Sequence, residues 1–195
     1  MSAINRQSRV VFVHVPKTAG SSMEAVDWVG DAGHRTAAQL RARMRLEDWR
    51  SYFKFAFVRE PVDRFISAYY HYVRRHPKPD EPAIYARVHR IVQAHHTDGS
   101  DVDCFIQSFD LDWLITHVNH FRPQSCFVEP GIELDFIGRF ERLEDDWREV
   151  CRRVGKPLVE LGRRNASVRD DTILSAEAID RVRQLYHEDY VRWYA

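Results

Sequence analysis

Residues Val10 to Ser22 read V-V-F-V-H-V-P-K-T-A-G-S-S, and the change of character at Pro16 decides the fold. The run from Arg9 to Val15 predicts a strand, because it is β-branched and too short for a helix. Pro16 ends it. The loop K-T-A-G-S-S then opens a helix expected from about Ser22 to Trp28, which Gly30, Asp31 and Gly33 break. A strand, a tight loop of small residues and a helix start form an anion site, since the first N–H groups and the dipole of the helix point at whatever binds there. Lys17 adds a mobile cation, Thr18, Ser21 and Ser22 add hydroxyl donors, and Gly20 permits close backbone approach. The pentapeptide P-K-T-A-G alone fits a plain turn before a capped helix equally well.

The loop is not a Walker A loop. That motif, G-x-x-x-x-G-K-S/T, places its lysine last, beside a hydroxyl for magnesium. Here the lysine comes first, and no strand-end carboxylate stands out as a partner. A sulfuryl group carries one charge less than a phosphoryl group, so one lysine with backbone donors can serve its leaving phosphate without a metal.

The same architecture recurs at R-E-P-V-D-R-F-I-S-A-Y, Arg59 to Tyr69. Phe53 to Val58 predicts a second strand, Arg59 stands at its tip, and Pro61 fits the first position of a helix. Ser67 lies about 9 Å along that helix from Pro61, so the Arg59 guanidinium and the Ser67 hydroxyl can converge on one anion. The plainer reading pairs Arg59 with a carboxylate and buries Ser67 in the helix. Two anion sites at the ends of two strands suit a ligand with two separated phosphate groups.

Outward from these segments, helices are expected over Thr36 to Arg45, Ala83 to His95, Val102 to Phe109 and Leu143 to Val154, with an aromatic stretch from Trp49 to Phe53. Short strands are expected near Ser125 to Val128 and Asp135 to Phe140. A basic loop runs from Gly162 to Asp171. A last helix starts near Ser175, an N-cap residue with Glu177 in the first turn. Strands separated by helices, with no repeat or linker, predict one α/β domain over residues 1–195. Its expected form is a three-layer, P-loop-like fold with a central, mostly parallel sheet flanked by helices.

Composition narrows the partners. The chain has 195 residues, 44% hydrophobic and 30% charged, and its formal net charge is zero. It is therefore globular, and nothing global argues for nucleic acid or an anionic membrane. Of 29 basic residues only Lys17, Lys54, Lys78 and Lys156 are lysines; arginine suits phosphate and sulfate, though coding bias gives the same pattern. Cys104, Cys126 and Cys151 are odd in number and far apart, which supports neither a disulfide framework nor a zinc ribbon. No membrane-length apolar run occurs, and the first nine residues lack a signal-peptide core. A cytoplasmic protein is the expectation. Oligomeric state is not legible.

With both phosphate motifs in view, the chain resembles the PAPS-dependent sulfotransferases, which transfer sulfate from 3′-phosphoadenosine 5′-phosphosulfate. The resemblance is to the carbohydrate, membrane-type branch that includes chondroitin and heparan sulfate enzymes and small bacterial relatives. F-V-H-V-P-K-T-A-G-S-S is similar to the 5′-phosphosulfate loop, and Y-F-K-F-A-F-V-R-E-P-V-D-R-F-I-S-A-Y-Y to the 3′-phosphate motif. G-H-R-T-A-A-Q-L, H-F-R-P-Q-S and F-I-G-R-F-E-R-L-E-D-D agree as well. Ser21 and Glu60 depart from the commoner threonine and asparagine, and the chain is short for the family. The resemblance implies PAPS as donor, the bisphosphate PAP as product, a saccharide or glycoconjugate hydroxyl as acceptor, and no metal. It implies that Lys17 contacts the bridging oxygen and 5′-phosphate, that Thr18, Ala19, Gly20, Ser21 and Ser22 cradle the phosphosulfate, and that Arg59 and Ser67 hold the 3′-phosphate. The stretch Arg163 to Arg169 resembles the segment that closes over the nucleotide.

Transfer to a hydroxyl needs a base within hydrogen-bond reach of that oxygen. His34, in G-H-R-T-A, matches the family's histidine and is the first candidate, with Lys17 as the other catalytic residue. His120 is second, as base or acceptor contact, and His14 reads as structural. His89, His95 and His96 read as lying on a surface helix without a metal-binding pattern. Trp113, Phe121, Tyr69, Tyr70 and Tyr72 can stack on rings, but most belong in a core. Two rival readings are a P-loop-type nucleotide kinase, which needs magnesium, and a non-catalytic nucleotide-binding relative.

Overall fold

The computed structural model describes residues 3–31, 33–74, 82–97, 102–162 and 172–195. In chain order the first elements are β1 (Ile4–Asn5), β2 (Val10–Val13), α1 (Gly20–Met23), α2 (Ala37–Arg41), α3 (Leu46–Ser51) and β3 (Phe53–Val58). Helices α4 (Pro61–Arg74), α5 (Ala83–Thr97), α6 (Val102–Ser108) and α7 (Leu111–His117) follow. The rest are β4 (Phe136–Arg139), α8 (Leu143–Val154), α9 (Ala176–Leu185) and α10 (His187–Trp193). The chain packs as two compact units. The first holds Met1–Arg59 with Gln124–Ala166, and the second holds Glu60–Pro123 with Ser167–Ala195.

The first unit carries the sheet, in the order β1-β2-β3-β4. Strands β2, β3 and β4 are parallel, with Phe12 opposite Phe55 and Ala56 opposite Ile137, while β1 adds an antiparallel edge. Every residue of β2 is buried, as a parallel strand covered on both faces requires. Helix α2 packs on β2 and α8 on β4, giving the expected α/β class with a mostly parallel sheet flanked by helices. The Phe12 and Phe55 rings stack at 4.9 Å, and Trp147 of α8 meets both Phe55 and, face to face at 5.2 Å, Trp28. Lys54, buried on β3, gives its ammonium to Asp135 and to the Tyr52 carbonyl, each at 2.7 Å, so one of the four lysines is structural.

The second unit is helical around Phe65, Tyr69, Tyr72, Phe105, Phe121 and Tyr186. Arg64 is buried there because its guanidinium holds the carbonyls of His120 and Arg122 at 3.1 and 2.7 Å and lies over the Tyr186 ring. Tyr186 donates to the Phe121 carbonyl.

Several expectations shift. The helix sought from Ser22 to Trp28 is one turn, ending at Met23; Val26 and Val29 donate instead to carbonyls three residues back, in tight turns. The strand sought at Ser125 to Val128 is a 3-10 turn, Gln124–Cys126, because the Phe127 and Val128 amides fold back onto the Gln124 carbonyl. Ser175 caps its helix on Ala178 as expected, but that helix breaks at Tyr186 into α9 and α10. Helix α7, capped by Asp110 on Trp113, was not anticipated. The basic stretch Arg163 to Arg169 lies outside the described residues.

Candidate active site

The chain leaves β2 at His14 and turns at Pro16 into a loop with two left-handed residues, Lys17 at φ 72° and Ala19 at φ 66°. Such alternation folds successive amides toward one concave face, the geometry that receives anions. Among the described residues, no acceptor is found for the amide N–H groups of Thr18, Ala19, Gly20 and Ser21. The helix after the loop is only one turn long, so its dipole adds little and the loop's own amides supply the donors.

The side chains of the loop do varied work. Thr18 is buried and donates its hydroxyl proton to the Val15 carbonyl at 2.8 Å, closing the loop on itself. Ser22 donates to the Gly162 carbonyl at 2.7 Å, while Ser21 is exposed. Gly20 is required by a neighbour: a Cβ placed on it would fall 2.0 Å from Nε2 of His14.

Arg59 reaches the same loop. It is 5% exposed, and its guanidinium donates to the Lys17 carbonyl at 3.0 Å while lying 4.0 Å over the Phe140 ring. The end of β3 is fixed by Gln124, whose side-chain amide accepts from the Arg59 N–H at 2.9 Å and donates to its carbonyl at 2.8 Å. That two-point contact imitates one more rung of a ladder and holds the arginine's backbone still. Ser67 is buried on α4, in the second unit.

His34 follows Gly33 in a left-handed conformation, φ 49°. Its ring meets the His14 ring at a centroid distance of 4.3 Å, and Nδ1 donates to the His14 carbonyl over a long 3.5 Å. A carbonyl only accepts, so that contact puts the proton on Nδ1 and the lone pair on Nε2. Burial, then repulsion from a protonated His14, push the His34 pKa down from 6.5 to about 4, and Lys17 acts in the same sense. The first unit therefore brings Lys17, His34 and Arg59 together. It adds His14, whose Nδ1 contacts a Glu24 carboxylate oxygen at 2.8 Å.

The remaining candidates fall elsewhere. His120 receives the Tyr72 hydroxyl at Nδ1, 2.7 Å away, within the second unit. His89 lies on α5, a helix with an exposed face, but its own side chain is buried and its Nδ1 meets the Tyr72 carbonyl at 3.1 Å. Tyr69, Tyr70, Tyr72 and Phe121 are core residues and Trp113 is half-buried. Three contributors escaped the sequence reading: Glu24, Gln124 and the active placement of His14. Gln124 and His14 left a trace, inside the H-F-R-P-Q-S and F-V-H-V-P-K-T-A-G-S-S segments.

The profile of a family described as "Sulfotransferase family" matches residues 2–195. A carbohydrate sulfotransferase 14 of Danio rerio is 30% identical over 182 residues, covering 79% of this chain and 48% of its own length. Proteins of the same name from Mus musculus and Homo sapiens are 29% identical over 176 residues, covering 79% of this chain and 46% of theirs. The chain thus spans about half the length of the curated relatives it matches. No solved structure matches it with significance.

Proposed function

We propose, from the premise that this chain belongs to the sulfotransferase family, that it transfers a sulfuryl group from PAPS to a hydroxyl of a carbohydrate and releases PAP. One observation carries the reading. The Arg59 guanidinium sits on the carbonyl of Lys17, so the ends of two parallel strands meet at one loop whose Thr18 to Ser21 amides have no acceptor among the described residues. Four backbone donors in a concave turn, with a lysine and an arginine beside them, fit a phosphosulfate and a second phosphate.

PAPS, when bound, supplies a sulfuryl group on a phosphate leaving group. The amides of Thr18 to Ser21 would hold its anionic oxygens, and Lys17 would offset the charge that builds on the leaving oxygen. Arg59 would select the 3′-phosphate; Ser67 joins it in this proposal on the sequence alone. His34, unprotonated at Nε2, takes the acceptor's proton there. The carbohydrate acceptor rests on the names of the relatives. A cytoplasmic location is part of the proposal on the sequence alone.

The test is incubation with sulfate-labelled PAPS and a panel of saccharides, with and without EDTA. Labelled product is expected in both conditions. Lys17→Ala should lower kcat by roughly 10²–10³, the effect of removing one preorganised donor. Activity lost in EDTA and restored by magnesium would favour phosphoryl transfer, and PAP binding without turnover on any saccharide would favour an inactive relative.

A further inference from the structure

His14 reads from the sequence as a structural residue of its strand, yet its ring touches both Gly20 of the donor loop and His34. One edge lies against Gly20, where even a methyl group would overlap it at 2.0 Å. One face stacks on Phe12 at 5.5 Å and 16°. His34 packs against the ring at 4.3 Å and also meets the His14 carbonyl. The ring cannot swivel, because Nδ1 is tied to Oε1 of Glu24 at 2.8 Å with both side chains largely shielded, 6% and 21% exposed. A carboxylate only accepts, so Nδ1 of His14 carries a proton.

We infer that the His14–Glu24 pair is the positioning element of the base: Glu24 fixes the His14 ring, and the His14 ring and carbonyl fix the place of His34 beside the donor loop. The inference rests on the sulfotransferase reading for what His34 does, but not for the coupling itself. Its physical content is electrostatic as well as steric. The charged groups facing His34 are His14 from the end of β2, Glu24 from the turn after α1, and Lys17 from the loop. A His14 ring protonated at both nitrogens opposes a positive charge on His34, and so does Lys17, whereas the Glu24 carboxylate favours it. His14 and Glu24 therefore act on His34 in opposite senses, which no purely packing role would produce. A base held neutral is ready to accept a proton, and a nearby polyanion would strengthen it by the same arithmetic.

The experiment is an NMR titration of His34 in ¹³C-histidine-labelled full-length protein, comparing wild type, His14→Phe and Glu24→Gln. His14→Phe keeps a ring over Gly20 and removes the charge; it should move the His34 midpoint up by about one unit, the scale of a lost like charge. Glu24→Gln keeps a hydrogen-bond acceptor for Nδ1, so it guards against a misfolded first variant, and it should move the midpoint down. The acid limb of kcat/KM should follow in each case. Midpoints unchanged in both variants, or moved the same way, would overturn the inference. PAP binding is measured on the same samples: a wild type that binds no PAP while showing the opposite shifts would fail the functional reading and leave the coupling standing.

Discussion

As the proposed base, His34 has to be unprotonated at the pH of turnover, and its surroundings favour that state, through burial first and repulsion from a protonated His14 second. The consequence for stability has a definite sign. The folded pKa, about 4, lies below the ordinary 6.5, so on acidification the unfolded chain binds the proton first. Stability is then fully present above pH 6.5 and is lost as pH falls toward 4, by roughly 3 kcal/mol at most. His34→Asn, which suits the left-handed backbone of that position, should flatten this part of the curve. Urea midpoints measured from pH 7.5 to 4.5 check it; parallel curves for wild type and variant would mean that His34 titrates normally. Lys17 and Arg59 could be read as candidates from their places at strand ends, and His34 from the G-H-R-T-A segment of the family resemblance. The His14–Glu24 pair could not, since the partners stand ten positions apart across a loop and a turn and no local pattern joins them.

At the scale of elements, the strands were readable from β-branched and aromatic runs, and Phe53–Val58 and Leu143–Val154 have the bounds the pattern predicts. The helix after the donor loop was overestimated because Ser22 to Trp28 has helical composition, yet Glu24 is drawn to His14 and Trp28 to Trp147. Tertiary contacts outweighed propensity there. The join between β2 and α1 also gives a packing test. Gly20→Ala should destabilise by about 1–3 kcal/mol, the range for forced overpacking, because the new methyl meets the His14 ring at 2.0 Å. The double variant with His14→Ala should be less destabilised than the sum of the two single changes, as expected for residues in contact. Denaturant midpoints of the four proteins settle it; strict additivity would mean that the ring does not lie over Gly20.

For the whole molecule, the alternation of strands and helices was enough for the α/β class, but the division into two units was not visible. The chain leaves the first unit after Arg59 and re-enters it at Gln124 without any change in composition. Only long-range contacts, such as Gln124 on the Arg59 backbone, mark the return. Net charge is zero over the whole chain, so selection of an anionic ligand has to come from local groups. In the proposed function those groups are the loop amides, Lys17 and Arg59, matched to two separated phosphates. The most direct measurement is calorimetry of adenosine 3′,5′-bisphosphate against adenosine 5′-phosphate, on wild type and Arg59→Ala. The bisphosphate is expected to bind far more tightly, and Arg59→Ala to lose about 1.5–3 kcal/mol of that difference, the scale of a charge-assisted hydrogen bond. Equal affinity of the wild type for the two nucleotides would contradict the account.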